Sequence, residues 1–480
     1  MNRFTAFVKS HAWLWFVIMV LTLFLGTRGL NEPDEGRYAE IAREMADSGD
    51  WLIPTLNGFE HFQKPPFFYW VTAASLKVFA YNEWAARLPS ALAAFGVVIL
   101  TYLIARKLFS ERTARHAAIV LVSGVEFFAL ARLVTPDMTM SFWIVLAIAA
   151  FIHERRWPFF VAMGLGFLTK GPMALLVPLA SCMVFHYTRR REASRMQVPW
   201  VRGFIITFGI GFSWFIALSL WRAELFEYFW RYELVQRFGS AKHGRSQPWW
   251  FFFPVLILAL TPWTPFLIKP ALQAWRRLKS RTLEPRHVLL AAWIAIPLLV
   301  LSCSGSKLLT YVLPLLPAFA IVLGGALQST KRVWTIALVS AACWLVVAAC
   351  ADRFSPMLER QASIRSLATL LKETEETKDA ELFICGVRAH GFAFYMNDLV
   401  SITKGDADIV LPLDASDKAR VYKSVAHCAR SLSGGRLAYG IVDRERFEHT
   451  FKPQGWTLIG DEGDFVLITN EHAPALVLAR

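Results

Sequence analysis

The sequence predicts a polytopic α-helical membrane protein of about eleven spans, carrying a small C-terminal α/β domain. Three observations carry that prediction. Apolar residues make up 55% of the 480 and charged ones only 18%, against roughly a quarter charged in a soluble chain. Charge is also divided along the chain: residues 352–480 hold 16 Lys/Arg and 19 Asp/Glu, and residues 1–351 hold the other 35 of 51 and 18 of 37. The basic excess of the first part sits in short loops between apolar runs, which marks orientation in a membrane and not a nucleic-acid footprint. Such a composition excludes an ordinary cytosolic enzyme, a disordered chain and a disulfide scaffold.

The spans run near 12–29, 84–105, 116–134, 138–152, 157–170, 172–187, 203–221, 249–268, 288–303, 308–328 and 333–351. The first reads as a retained span and not a signal peptide, because no small-x-small cleavage site follows Gly26. Residues 66–81 are rich in Phe, Tyr and Trp and contain Lys77, which suits an interfacial helix better than a span. Lys170, Gly171 and Pro172 divide 157–187 into a hairpin. With that division every basic loop falls on one side: 1–11, 106–115, 153–156, 188–202, 269–286 and 331–332 together hold 21 Lys/Arg against 4 acids. That side is expected to be the cytoplasm.

The opposite, outer face then holds a long first loop (30–83), a second (222–248), short turns at 135–137, 170–172 and 304–307, and the C-terminal segment. The domain division is therefore 1–351 for the membrane domain and 352–480 for an external α/β domain. Candidate strands in the latter are 381–385, 436–442, 456–460 and 464–469; candidate helices are 359–373, 390–396 and 417–431. It has no Gly-rich nucleotide fingerprint and is read as a structural or docking domain. Cys385 and Cys428 both lie there, and the sequence leaves open whether they form a disulfide.

Several ionisable residues gather on the outer face. In Glu32-Pro33-Asp34-Glu35-Gly36-Arg37-Tyr38, Pro33 suits a helix start and the following acids suit its positive end. The helix stops near Ser48-Gly49, and Ile41 and Met45, four apart, suit a helix lying on the membrane. Asp34 is thus either a helix-terminal charge or a carboxylate held near the headgroups as a general base. Lys64 precedes two prolines that restrict its backbone and is either a cation aimed at a phosphate or a snorkelling side chain. Asp137 lies in Thr135-Pro136-Asp137, Lys170 before Gly171-Pro172, Lys307 in Gly305-Ser306-Lys307 with Tyr311 one turn on, and Glu126 and Arg132 near the end of the third span. The second loop adds Arg237, Lys242, His243 and Arg245. Six of these residues, Asp34, Lys64, Asp137, Lys170, Arg245 and Lys307, come from separate segments onto one face, beside aromatic-rich loops. Such an arrangement suits an amphiphile with an anionic head.

The run Asp34 to Met45, then Ser48-Gly49-Asp50-Trp51, Asn57-Gly58 and Gln63-Lys64-Pro65-Pro66, resembles the GT-C glycosyltransferases of the protein-mannosyltransferase/aminoarabinose-transferase group. Within it, the likeness is to the bacterial lipid A 4-amino-4-deoxy-L-arabinose transferases. Gln236-Arg237-Phe238, His243, Pro248-Trp249, Lys170-Gly171 and Gly305-Ser306-Lys307 with Tyr311 look like elements of the same family. The resemblance implies an inverting transferase that takes a sugar from polyprenyl (undecaprenyl) phosphate at the periplasmic face of the inner membrane. It implies Asp34 and Asp137 as catalytic carboxylates, and Lys64, Arg245, Lys170, Lys307 and Tyr311 around the lipid phosphate. It also implies a divalent metal (Zn or Mg) at His243, although Gln63 stands where the family often has a liganding Glu. Lipid A is the expected acceptor; a protein Ser/Thr or another envelope glycan is the alternative. A lipid-linked-sugar flippase is the rival of another class; such transporters carry internal repeats, and this sequence shows none.

Overall fold

The computed structural model describes residues 2–189, 197–229, 247–280, 282–350, 363–373, 380–405 and 415–471. Ten of the eleven predicted spans coincide with helical segments, single or divided by a short break; in 249–268 only Phe252–Ala259 is α-helical before the chain turns by 112° into Thr264–Lys279. In chain order the elements are α1 (Asn2–Thr22), α2 (Asp34–Ser48), β1 (Thr55–Leu56), β2 (Phe59–Glu60), α3 (Phe67–Phe79), α4 (Glu83–Leu108), α5 (Glu111–Ser123), α6 (Val125–Leu130), α7 (Pro136–Ile152), α8 (Arg156–Lys170) and α9 (Met173–Thr188). Then come α10 (Trp200–Gly211), α11 (Ser213–Trp221), α12 (Ala223–Glu227), α13 (Phe252–Ala259), α14 (Ile268–Lys279), α15 (Pro285–Cys303), α16 (Leu316–Ala326) with a 3-10 segment Leu309–Leu315 before it, and α17 (Val333–Ala349). Among the described residues, three helices are long and apolar enough to cross a membrane, or up to five if each of two bent pairs is one span. Shorter apolar helices include Ala12–Thr22 of α1, α3, α7, α9 and α17.

The chain divides into two compact units, Met1–Leu23 with Gln63–Phe68 and Pro89–Val346, and Phe24–Phe62 with Tyr69–Leu88 and Val347–Arg480. The second unit thus gathers most of the first loop with the C-terminal segment, a grouping different from the division at 351.

In the first unit, one helix break shows how backbone groups are kept paired. The third predicted span parts at Gly124, which is extended (φ −72°, ψ 137°) between α5 and α6. The Trp344 indole donates to the freed Ser123 carbonyl at 3.0 Å, the Trp263 indole donates to the Ser123 hydroxyl at 3.0 Å, and the Val125 N–H donates to the Thr261 carbonyl at 3.1 Å. In an apolar surround such substitutes are obligatory. Arg132 does the same for the end of α1: its guanidinium donates to the carbonyls of Val20 (3.1 Å), Leu21 (3.5 Å) and Leu23, a cation where the helix end is negative. Arg132→Met, which strips three carbonyls of a charged donor, is expected to cost about 2–3 kcal/mol. Thermal unfolding in detergent measures it, and an unchanged melting temperature would refute the capping role.

In the second unit the C-terminal segment forms a six-stranded sheet in the order β5 (Val421–Tyr422), β4 (Ser401–Thr403), β3 (Glu381–Ile384), β6 (Ala438–Asp443), β8 (Phe465–Thr469), β7 (Thr457–Glu462). The first four are mutually parallel, and β8 and β7 are antiparallel to their neighbours. Alternate residues of β3 serve different layers, as the two-residue period of a strand requires. Leu382 and Ile384 join a core with Leu367, Leu371 and Phe392, from the helices Arg365–Lys372 (α18) and Gly391–Met396 (α19). Phe383 and Cys385 join another with Cys428, Leu432, Phe451 and Trp456. The four predicted strands are present, and β4 and β5 are additional. The expected helix 417–431 is instead two, Ala415–Ala419 (α20) and Val425–Ser433 (α21). Between them Val421 and Tyr422 pair with Ile402 and Thr403, and the Ser424 hydroxyl caps α21 through the His427 N–H. Cys385 and Cys428 are both buried, and they are not joined in a disulfide.

The first loop is built into this domain. Phe59 of β2 sits in the same core as Leu382 and Phe392. The Asn57 side chain imitates a strand neighbour: its amide donates to the Val400 carbonyl at 2.6 Å and its oxygen accepts from the Val400 N–H at 2.7 Å. Arg420 donates to the Asn57 carbonyl at 3.0 Å and lies 4.7 Å over the Phe59 ring. The expectation that α2 rests its Ile41–Met45 stripe on the membrane is corrected here. Both side chains are buried within the protein (0% and 1% exposed), and α2 packs against α19 and β1. An apolar stripe demands cover without saying what supplies it.

Candidate active site

In the first unit, three of the residues predicted from sequence meet. Thr135 is extended and Pro136 opens α7, where its missing N–H costs nothing. Asp137 follows in that first turn, at the end of the helix that favours a carboxylate. α8 ends at Lys170 because Gly171 takes φ 103°, a conformation that disfavours any side chain. The Lys170 ammonium donates to Asp137 Oδ1 and stands 5.5 Å from the centroid of the Tyr311 ring. Only 14% of the Lys170 side chain and 7% of that of Asp137 is exposed, so the pair acts in a low-dielectric surround where charge is worth most. Glu126 Oε1 is buried without a hydrogen-bond partner among the described residues, and its carboxyl lies within electrostatic range of Asp137. An ammonium held between a carboxylate and an aromatic face can receive the oxygens of a phosphate and keep its position while empty.

Lys307 is also buried, and its ammonium donates to the backbone carbonyls of Gln247 (3.0 Å) and Ser304 (2.5 Å). Two of its three N–H donors are thus committed, and it ties the 304–307 turn to residue 247. Lys64 is half-buried just before Pro65 and Pro66. Arg245, His243 and the neighbouring Gln236-Arg237-Phe238 lie outside the described residues. Among the described residues no three His, Cys, Asp or Glu side chains converge, and Gln63 offers a neutral amide. His243, the ligand the resemblance implies, lies outside the described residues, and no step below is routed through a metal.

In the second unit, Asp34 is the first residue of α2, with 59% of its side chain exposed and paired to Arg37. Its neighbour Glu35 is buried and ties that helix start to α4. The Arg87 guanidinium, 0% exposed, donates all five of its N–H groups. It bonds Glu35 Oε1 (3.0 Å) and Oε2 (3.1 Å), and the carbonyls of Leu25 (3.1 Å), Arg28 (2.7 Å) and Gly29 (2.7 Å). Arg28 adds a second ion pair to Glu35 at 2.7 Å. Burial alone would raise the Glu35 carboxyl, but the two guanidiniums outweigh it and bring it down to about 2. Asp34 therefore projects from a helix start that is held on its buried side by a saturated ion cluster.

Glu32 is the opposite case. Burial pushes its carboxyl up to about 8 against the Gly391 and His390 N–H groups, which lower it; the charges of Glu35 and Asp34 add to the rise. The Gly391 N–H donates to Oε1 at 2.7 Å, and Gly36 and Gly391 leave the carboxyl room, since a Cβ on either would come within 2.6 Å of it. A group whose native pKa is raised contributes stability that is full below the unfolded value of 4.5 and is lost as pH rises through about 8. The thermal stability of the wild-type chain is thus expected to fall between those limits. Glu32→Gln, which still accepts from Gly391, should flatten that slope, and an unchanged slope would show that Glu32 is not its source.

The buried roles of Arg87 and Glu32 escaped the sequence analysis, and Glu35 was legible there only as a helix-start charge. The signal was present: Arg87 sits inside an apolar run, where an ionisable residue implies a partner.

The family model described as dolichyl-phosphate-mannose-protein mannosyltransferase matches residues 63–217, a stretch that includes Lys64, Asp137 and Lys170. The chain is 31% identical, over 332 residues, to an undecaprenyl phosphate-alpha-4-amino-4-deoxy-L-arabinose arabinosyl transferase of Pseudomonas fluorescens, a match covering 65% of this chain and 56% of that protein. It is 33% identical over 338 residues to the enzyme of that name from Sodalis glossinidius, covering 66% and 59%. It thus spans less than three fifths of the length of these relatives. Among solved structures, ArnT from Cupriavidus metallidurans bound to undecaprenyl phosphate superposes with a TM-score of 0.80 at 21% identity, over 97% of this chain and 98% of that one. The fold is therefore that of a multi-pass membrane protein. By family model, by sequence and by fold, the chain resembles the GT-C glycosyltransferases of the protein-mannosyltransferase and aminoarabinose-transferase group.

Proposed function

We propose that the chain is an integral-membrane glycosyltransferase that moves an amino sugar, of the 4-amino-4-deoxy-L-arabinose class, from undecaprenyl phosphate to lipid A. The observation that carries this reading is the buried Asp137–Lys170–Tyr311 cluster, two members of which lie inside the stretch matched by the family model. The relatives' names supply the sugar and carrier. The placement of basic loops supports a periplasmic site in the bacterial inner membrane, with about eleven crossings.

The bond from the sugar anomeric carbon to the carrier phosphate breaks, a bond to the acceptor oxygen forms on the opposite face, and undecaprenyl phosphate leaves as the anion. Lys170, with Lys64 and Arg245, neutralises the negative charge that grows on the leaving phosphate. A hydroxyl acceptor needs Asp34 as base. A lipid A phosphate is already ionised, and for it Asp34 steadies the positive charge developing on the sugar.

Mass spectrometry of lipid A from cells with and without the gene tests this. An amino-pentose increment is expected with the intact gene and not with Asp34→Asn, provided the variant is inserted at normal levels. Normal modification by Asp34→Asn would remove that residue from the chemistry. Lipid A of unchanged mass would turn the search to protein Ser/Thr or other glycans as acceptors.

A further inference from the structure

α14 is built unlike any span. No side chain of Ile268–Lys279 is buried, and residues 271–280 are all exposed. Ile268, Leu272, Trp275 and Leu278 are 56–68% exposed and, at about 100° per residue, form one stripe along the helix. Lys269 and Arg276 border that stripe on one side, and Lys279 ends it. The helix contains four cations and no acid; Glu284, just beyond it, is paired with Arg286 at 2.6 Å. Twelve residues with nothing buried do not hold a helix in water, so this stripe has a cover. The direction of the helix says where. The segment Thr264–Lys279 is bent by 112° from Phe252–Ala259. If α13 runs across the bilayer, as its composition FFPVLILA suits, α14 runs close to the plane of the membrane, at the end of a span.

We propose that α14 is a docking surface for anionic phospholipid: the Ile268–Leu272–Trp275–Leu278 stripe enters the headgroup boundary, and Lys269, Arg276 and Lys279 bind lipid phosphates. Charge complementarity selects the occupant. An apolar stripe bordered by cations, with no acid to repel phosphate, fits an anionic lipid surface; a neutral surface would leave the cations unanswered. Arg277 points elsewhere and bonds the His287 ring at 2.7 Å. This surface is independent of the transfer site and survives if the proposed reaction is wrong.

The test is hydrogen–deuterium exchange of the full-length protein in nanodiscs of phosphatidylcholine, with and without phosphatidylglycerol. Amides of 271–279 are expected to exchange roughly tenfold or more slowly with the anionic lipid, given the attraction of several cations to such a surface. The difference should shrink at high salt. The triple variant Lys269→Gln, Arg276→Gln, Lys279→Gln should lose the difference while the spans exchange as before; Arg277 is left in place to keep its contact. Equal exchange in both lipids would overturn the proposal, as would a difference that the triple variant retains. Protection seen only in native membranes, and in neither nanodisc, would also overturn it and assign the stripe to a protein partner.

Discussion

Arg87→Met should destabilise the second unit by about 3–5 kcal/mol, the range for breaking a buried ion pair from one side. The reason is stoichiometric. All five N–H groups of Arg87 are spent on Glu35 and on three carbonyls of the segment between α1 and α2. A methionine of similar bulk leaves Glu35 ionised, 2% exposed, with only Arg28 beside it. Pairing the change with Glu35→Gln removes the stranded charge and should recover part of the loss. Recovery stays incomplete because the carbonyls of Leu25, Arg28 and Gly29 remain without their donor. Denaturant unfolding of the two variants, with protease sensitivity of residues 24–62 as a local probe, measures both steps. A loss under about 1 kcal/mol would contradict a buried, desolvated pair. The acid limb gives a second reading. The native carboxyl of Glu35 lies at about 2 against 4.5 unfolded, so its contribution is full above the unfolded value and disappears as pH falls toward 2. Arg87→Met should lose that acid dependence along with its stability.

That cluster marks where sequence reading stops. The apolar runs predicted where helices form in the membrane part of the chain, because twenty or so apolar residues have few other fates, and among the described residues three to five of them are long and apolar enough to cross; Ser48-Gly49 predicted the end of α2, where Gly49 has φ 72°. Patterning says that a face is covered and not by what. Ile41 and Met45 look alike whether lipid or α19 lies over them. β4 and β5, three and two residues long, are too short to show a two-residue period, so a helix was expected through Val421-Tyr422. Arg87 sits at the start of the 26-residue α4 and passes for an interfacial anchor. The outer-face residues were legible one by one as ionisable groups in odd places. Their joining, Asp137 with Lys170 under Tyr311, depends on three segments packing together, which spacing along the chain does not encode.

Asp137 and Lys170 should behave as one unit in transfer. If Lys170 neutralises the leaving phosphate, Lys170→Met should lower the rate by on the order of 10²–10³, the usual cost of losing one preorganised electrostatic contact in a dry site. Asp137→Asn should cost a comparable factor by a different route. The ammonium, with 14% of its side chain exposed, loses the carboxylate that aims it, while the Tyr311 face 5.5 Å away keeps it near but does not orient it. The double variant should then be little worse than the worse single one, because once the cation is gone the group that positions it has nothing left to do. Multiplicative losses would mean that Asp137 touches the reaction independently, as a catalytic carboxylate of its own. Lys170→Arg separates charge from shape: a planar guanidinium cannot reproduce a point charge held between a carboxylate and a ring, so only partial rescue is expected. Measuring kcat and KM for the four variants in proteoliposomes with purified carrier-linked sugar decides among these outcomes. Loss confined to KM would make the cluster a binding site for the carrier, and loss confined to kcat would place it at the bond that breaks.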